Sequence, residues 1–130
     1  MIIDTSAIMA ILLQEPEAKR IAEAITHDSI RLISTANWLE ISLVVFTRTG
    51  NEGLRDFDLL IAKCRISSTP VTIKHAEIAR HAFLQYGKGR HPAKLNYGDC
   101  FAYALAKETN EPLLFKGNDF NKTDITVVHY

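Results

Sequence analysis

Hydrophobic positions along the chain follow two alternating rhythms. Short apolar runs at residues 1–3, 31–34, 71–73, 112–115 and 125–128 read as strands. Between them, apolar residues recur at helical spacing. A first helix is expected over 7–14, and Pro16 opens a second that places Ile21, Ala22 and Ile25 on one face. Thr35 caps a third helix that runs to Arg48 with Gly50 as its stop, and 51–64 repeats the pattern with Leu54, Phe57, Leu60 and Ile61. Residues 75–86 form the next helix, with Ile78, Ala79, Ala82 and Phe83 inward and Gly87 at its end. Gly98 and Asp99 open the last, over 100–107. Strands alternating with helices predict right-handed crossovers and an α/β fold. The expected form is a three-layer α/β/α sandwich around a mainly parallel, five-stranded sheet.

In such sheets ligands bind outside the carboxyl ends of the strands, so acids at strand ends and helix starts carry the chemical interest. Asp4 ends the first strand, Glu40 lies in an apolar helix, Asp99 sits at a helix start, and Asp119 follows the 112–115 strand. Each has a plainer reading. Asp4 could simply cap a helix, Asp99 could answer the helix dipole, and Asp119 could bond its own turn. Glu40 could pair with an Arg, because an isolated buried charge costs several kcal/mol. Their conjunction points further, to one cleft shared by four carboxylates. Carboxylates without His or Cys suit Mg²⁺ or Mn²⁺, and the chemistry such an ion supports with phosphates is phosphodiester hydrolysis.

Composition narrows the class. The 130 residues are 47% hydrophobic and predict one domain over 1–130 with a sizeable core. Fifteen basic and fifteen acidic side chains cancel, so a nucleic-acid partner would have to be held by a local patch. Cys64 and Cys100 lack metal-type spacing and read as core residues in a reducing cytosol. No apolar run reaches the roughly 18 residues of a membrane span, and the amino terminus has no basic region ahead of an apolar one. A soluble, cytoplasmic protein with no membrane partner is expected.

The local patch is present. Lys88, Arg90, His91 and Lys94 crowd a Gly- and Pro-containing loop just before the Asp99 helix. Such side chains hold phosphates without reading sequence, so Lys88, Arg90 and Lys94 are the candidate contacts to a nucleic-acid backbone, with an ordinary solvated loop as the plainer reading. Gly87-Lys88-Gly89 lacks the remainder of a phosphate-loop motif. His75 and His81 read as ordinary helix residues, and Trp38 and Tyr103 as core or interface.

The order Asp4-Thr5-Ser6, Glu40 between Leu39 and Ile41, the 86–93 stretch, Leu95 to Ala104 around Asp99, and Leu113 to Phe120 followed by Thr123-Asp124-Ile125 forms one set of motifs. Together they closely resemble the PIN-domain ribonucleases, specifically the VapC toxins of bacterial type II toxin–antitoxin systems. The resemblance spans the chain and is densest from Tyr86 to Ile125. It implies a PIN-like fold and a Mg²⁺-dependent endoribonuclease in which Mn²⁺ can substitute. It also implies Asp4, Glu40, Asp99 and Asp119 as the acidic metal site, with the Ser6 hydroxyl supporting the first acid. Relatives often carry a second acid where Asn118 stands; Asn lacks the charge, so Asp119 must fill that place. A cognate VapB-type antitoxin and a homodimer are implied as partners, the apolar surface around residues 43–46 and 54–61 serving them. Three readings compete: a receiver-like Mg²⁺-binding phosphoacceptor domain using Lys116, a non-catalytic RNA-binding module, and a metal-independent ribonuclease using His91.

Overall fold

The computed structural model describes all residues from Met1 to Tyr130. Four parallel strands, β1 (Ile2–Ile3), β2 (Leu32–Ser34), β3 (Ser67–Thr69) and β4 (Leu113–Leu114), lie in the order β3-β2-β1-β4. The chain steps outward from β1 to β2 and β3, then returns to place β4 on the other side of β1. That reversal opens a crevice at the carboxyl ends of β1 and β4, the switch point where α/β sheets bind ligands.

Neighbouring residues of β1 and β4 face opposite sides of the sheet, as strand geometry requires. Ile2 and Leu113 enter a core with α4 (Ile73–Tyr86) and α5 (Tyr97–Thr109), while Ile3 and Leu114 enter one with α1 (Thr5–Leu12), α2 (Ala18–His27) and α3 (Thr35–Lys63). The three-layer α/β/α architecture is therefore as expected. Trp38 packs against Phe57 with ring centroids 6.0 Å apart, and Cys64 and Cys100 are free and buried.

Several expected elements are corrected. The sheet has four strands, not five: residues 125–128 reach it through a single bridge between Val127 and Leu113. Leu113 spends its N–H on Thr126 O and its C=O on Val128 N, and the two-residue β4 offers no further register. The third strand is Ser67–Thr69, not 71–73. It is an exposed polar edge strand with no apolar alternation to announce it. Pro70 breaks the ladder after it, Thr72 caps α4, and Ile73 begins that helix with its side chain 79% exposed.

Helix ends also move. Asn96, not Gly98 or Asp99, caps α5, so Asp99 lies one turn in. Asp4 caps α1 directly, and α2 starts at Ala18, after a turn containing Pro16. Gly50 breaks the long α3 segment with φ 64°, ψ −148°, which divides it where a stop was expected. Phe83, expected inward, is 39% exposed. His75, expected to be unremarkable, is buried, closes the α4 capping box with Thr72 and pairs with Glu108 of α5.

Candidate active site

Asp4 leaves β1 at the crevice and turns back over the start of α1. The Ser6 backbone N–H donates to Asp4 Oδ2 at 2.9 Å and the Ser6 hydroxyl donates to the same oxygen at 2.5 Å. Ser6 Oγ in turn accepts the Lys116 N–H at 2.9 Å, tying the exit of β4 to the exit of β1. Both bonds to the carboxylate fall on Oδ2. Oδ1 is buried without a partner, and Asp4 as a whole is 2% exposed. Burial raises the Asp4 pKa above its ordinary value, against the Ser6 hydrogen bonds and with a further push from Glu40.

Asp99 is fixed by a capping box: its N–H donates to Asn96 Oδ1 at 2.9 Å, and its Oδ2 accepts the Asn96 N–H at 2.8 Å. Its carboxyl is pushed up to about 7 by desolvation first and by the negative charge of Asp4 second. Asp119 and Glu40 add to the rise while the Asn96 hydrogen bond opposes it. The like charges of all three other acids thus converge on Asp99.

Glu40 projects from α3 toward the start of α5. It forms no ion pair, which removes the Arg-partner reading. The Thr5 hydroxyl donates to its Oε2 at 2.5 Å. Asp119 is exposed in the loop after β4. It leads into a short 3₁₀ turn (Phe120–Lys122), anchored by Phe120 against Phe115 at 5.0 Å between ring centroids.

The structure therefore brings Asp4, Glu40 and Asp99 together, with Asp119 at the rim. The expected four-ligand set is not closed, because no three of these side chains stand at the spacing of a formed cation site. The reason is local: Asp99 Oδ2 is turned back onto its own cap, and Asp119 stands out in solvent. The donor set nevertheless fits a hard divalent cation. All donors are carboxylate oxygens, one buried oxygen of Asp4 has no partner, and the carboxylates repel one another until a positive charge arrives.

Three residues of this site were missed from the sequence: Thr5, Asn37 and Gly98. Asn37 is fully buried and donates from Nδ2 to Thr5 Oγ1 at 3.2 Å and to Gly98 O at 3.0 Å. A signal existed, since a polar residue three positions before Glu40 in an apolar helix shares its face. Gly98 carried no such signal; its role is set by how closely α3 and α5 approach.

The basic loop keeps its charges free. Lys88, Arg90 and Lys94 are exposed, and none pairs with an acid. Together with Gly89, His91 and Pro92 they line an open depression, and the loop leads through Leu95 and Asn96 straight into α5. His91 is turned into the loop, its Nδ1 accepting the Ala93 N–H at 3.0 Å and its ring edge-on to Tyr86. Lys116, which a receiver-like pocket would need beside its acid, instead pairs with Glu15 and with Glu17, the latter at 3.5 Å.

A parallel α/β sheet whose switch point gathers acidic side chains defines the class: an α/β protein with a carboxylate site at the carboxyl ends of its strands. The PIN domain family model matches residues 1–125, and the chain belongs to that family. Ribonuclease VapC30 of Mycobacterium tuberculosis is 51% identical over 128 residues, covering 98% of each chain. The fold is shared with the crystal structure of M. tuberculosis VapC20, described as a Sarcin-Ricin loop cleaving toxin. The TM-score is 0.79 at 12% identity, covering 98% of this chain and 97% of that one. It is also shared with VapBC2 of Rickettsia felis, solved bound to a DNA fragment from its promoter. There the TM-score is 0.74 at 15% identity, covering 98% and 96%.

Proposed function

We propose that this chain is the toxin of a type II toxin–antitoxin system, an endoribonuclease that hydrolyses RNA phosphodiesters with Mg²⁺, or Mn²⁺ in its place, held by Asp4, Glu40, Asp99 and Asp119. The observation that carries the metal reading is the buried, partnerless Oδ1 of Asp4 beside an Asp99 whose carboxyl is pushed up to about 7 by its acidic neighbours. When bound, the ion supplies Lewis acidity and charge neutralisation for displacement at phosphorus. The residues of the chain do the rest. Ser6 locks one oxygen of Asp4 and leaves the other without a protein partner; the Asn96 cap holds Asp99 at the mouth of α5; the 3₁₀ turn follows Asp119 at the rim. Lys88, Arg90 and Lys94 draw the RNA backbone to the edge of this crevice and position it without reading sequence.

The partner reading rests on the surface. Leu39, Leu43 and Phe46, spaced along one side of α3, are 52%, 60% and 54% exposed, and Leu59 beyond the Gly50 break is 55% exposed. Apolar side chains grouped in this way mark an interaction surface. A VapB-type antitoxin and a second copy of this chain are the proposed occupants. No helix is long and apolar enough to cross a membrane.

The deciding experiment incubates purified protein with bulk RNA in Mg²⁺, in Mn²⁺ and in chelator. Cleavage in either metal and none in chelator is expected; cleavage that resists chelation would transfer the chemistry to a metal-independent site such as His91.

A further inference from the structure

Glu40 is the one acid of the cleft that comes from a helix flank, with neither a strand end nor a cap to aim it. A flexible side chain of this length loses rotamer freedom when it binds a cation, and that cost is lowered if something holds it beforehand. The structure contains such a holder. Asn37, fully buried one turn before Glu40, reaches two elements at once: its Nδ2 donates to Thr5 Oγ1 at 3.2 Å, at the start of α1, and to Gly98 O at 3.0 Å, at the start of α5. Both amide hydrogens are thereby committed. Thr5 Oγ1, accepting from Asn37, turns its own hydrogen to Glu40 Oε2 at 2.5 Å.

The direction of the chain is fixed by its chemistry. The carboxylate can only accept and the amide nitrogen can only donate, so the single Thr5 proton goes to Glu40 while Asn37 holds the hydroxyl oxygen in the orientation that aims it there. The same amide sets the distance between α3 and the first turn of α5, where Gly98 leaves room for Glu40 and the next residue is Asp99. One buried side chain thus spans the three helices that carry Asp4, Glu40 and Asp99. The Asn37 Oδ1 is left buried without a partner. An unmet buried acceptor is destabilising, so this geometry is not one that stability alone selects.

We propose that Asn37, acting through Thr5, is a positioning residue that presets the Glu40 carboxylate and the mouth of α5 for the divalent cation. The inference rests on the metal-site reading above. It predicts a loss of cation affinity separable from any loss of stability. Partners that orient metal ligands typically cost 10–100-fold in affinity when removed.

The test uses the isosteric Thr5→Val, which keeps the shape and removes the hydroxyl, together with Thr5→Ser, Asn37→Ala and the Thr5→Val/Asn37→Ala pair. Mn²⁺ affinity is measured by calorimetry, and melting is followed in chelator and in Mn²⁺. Thr5→Val and Asn37→Ala should each weaken Mn²⁺ binding at least tenfold, and Thr5→Ser should restore it. The double variant should lose little more than either single one, because the two act in series. Asn37→Ala lowers the chelator melting temperature as well, so the bridge is judged by Thr5→Val if Asn37→Ala does not fold. Wild-type Mn²⁺ affinity in Thr5→Val, or loss of affinity that Thr5→Ser fails to restore, would overturn the positioning role alone. Absence of Mn²⁺ binding in the wild type would instead overturn the metal-site reading and the bridge with it.

Discussion

Gly98 lies directly beneath the Glu40 carboxylate: a methyl group added at Gly98 would sit 2.5 Å from both Oε1 and Oε2. No side chain fits there while Glu40 keeps its place. Gly98→Ala should push the carboxylate aside, and because that group is the free end of a side chain the helices can stay where they are. Cation affinity and RNA cleavage should fall about 10–100-fold. Stability should change by no more than about 1 kcal/mol, since Ala is favoured over Gly in a helix by a similar amount. Paired melting and cleavage assays would check this, and wild-type cleavage by Gly98→Ala would show that Glu40 does not need its present position.

Asp99 is the point on which the charges of Asp4, Asp119 and Glu40 converge. Asp99→Asn keeps the shape and the cap to Asn96 while removing a charge that the metal-free fold resists. Most cleavage should disappear, yet the chelated protein at pH 7.5 should melt no lower than the wild type, and the rise in melting temperature produced by millimolar Mn²⁺ should shrink. A lower melting temperature in chelator would indicate that Asp99 is held for stability.

Proton release follows from the same residue. Desolvation and its acidic neighbours push the Asp99 carboxyl from its ordinary 3.8 up to about 7 in the fold. Between those values the folded state binds the extra proton, so stability of the chelated protein should fall as pH rises through this window and level off above it. A cation entering below pH 7 must displace that proton. Calorimetric titration with Mn²⁺ at pH 6, in buffers of different ionisation enthalpy, should show release approaching one proton from this group, and less at pH 8. Heats that do not depend on buffer would detach Asp99 from the ion.

The central part of this fold was legible because pattern and burial agree there. The apolar run into Asp4 marks the strand buried on both faces, and the apolar circumference of α3 makes Glu40 conspicuous as a charge without a reason to be there. The edges were not legible. Ser67–Thr69 pairs through its backbone alone, so its side chains hold no strand signal, whereas the β-branched residues at 71–73 imitate one while capping and starting α4. Asp4, Asp99 and Asp119 could be chosen from their places at strand and helix ends, and Glu40 from its apolar helix, but not their orientation. That Asp99 bends back to Asn96, and that Asn37 reaches Thr5 and Gly98, depends on how α1, α3 and α5 meet, which no periodicity encodes.

Lys88, Arg90 and Lys94 are exposed, carry no acidic partner and line one depression beside the start of α5. If they hold the RNA backbone, each phosphate they neutralise contributes a slope of about −0.7 to log K against log salt for a single strand. Replacing all three by Ala should weaken RNA binding and flatten that slope by roughly two units. Stabilisation by Mn²⁺ should survive, because the acids are untouched. The measurement is RNA affinity at several salt concentrations in an Asp99→Asn background, which prevents cleavage from confusing the binding curve. Equal slopes with and without the triple substitution would remove the loop from RNA binding; docking of the antitoxin would then be its leading assignment.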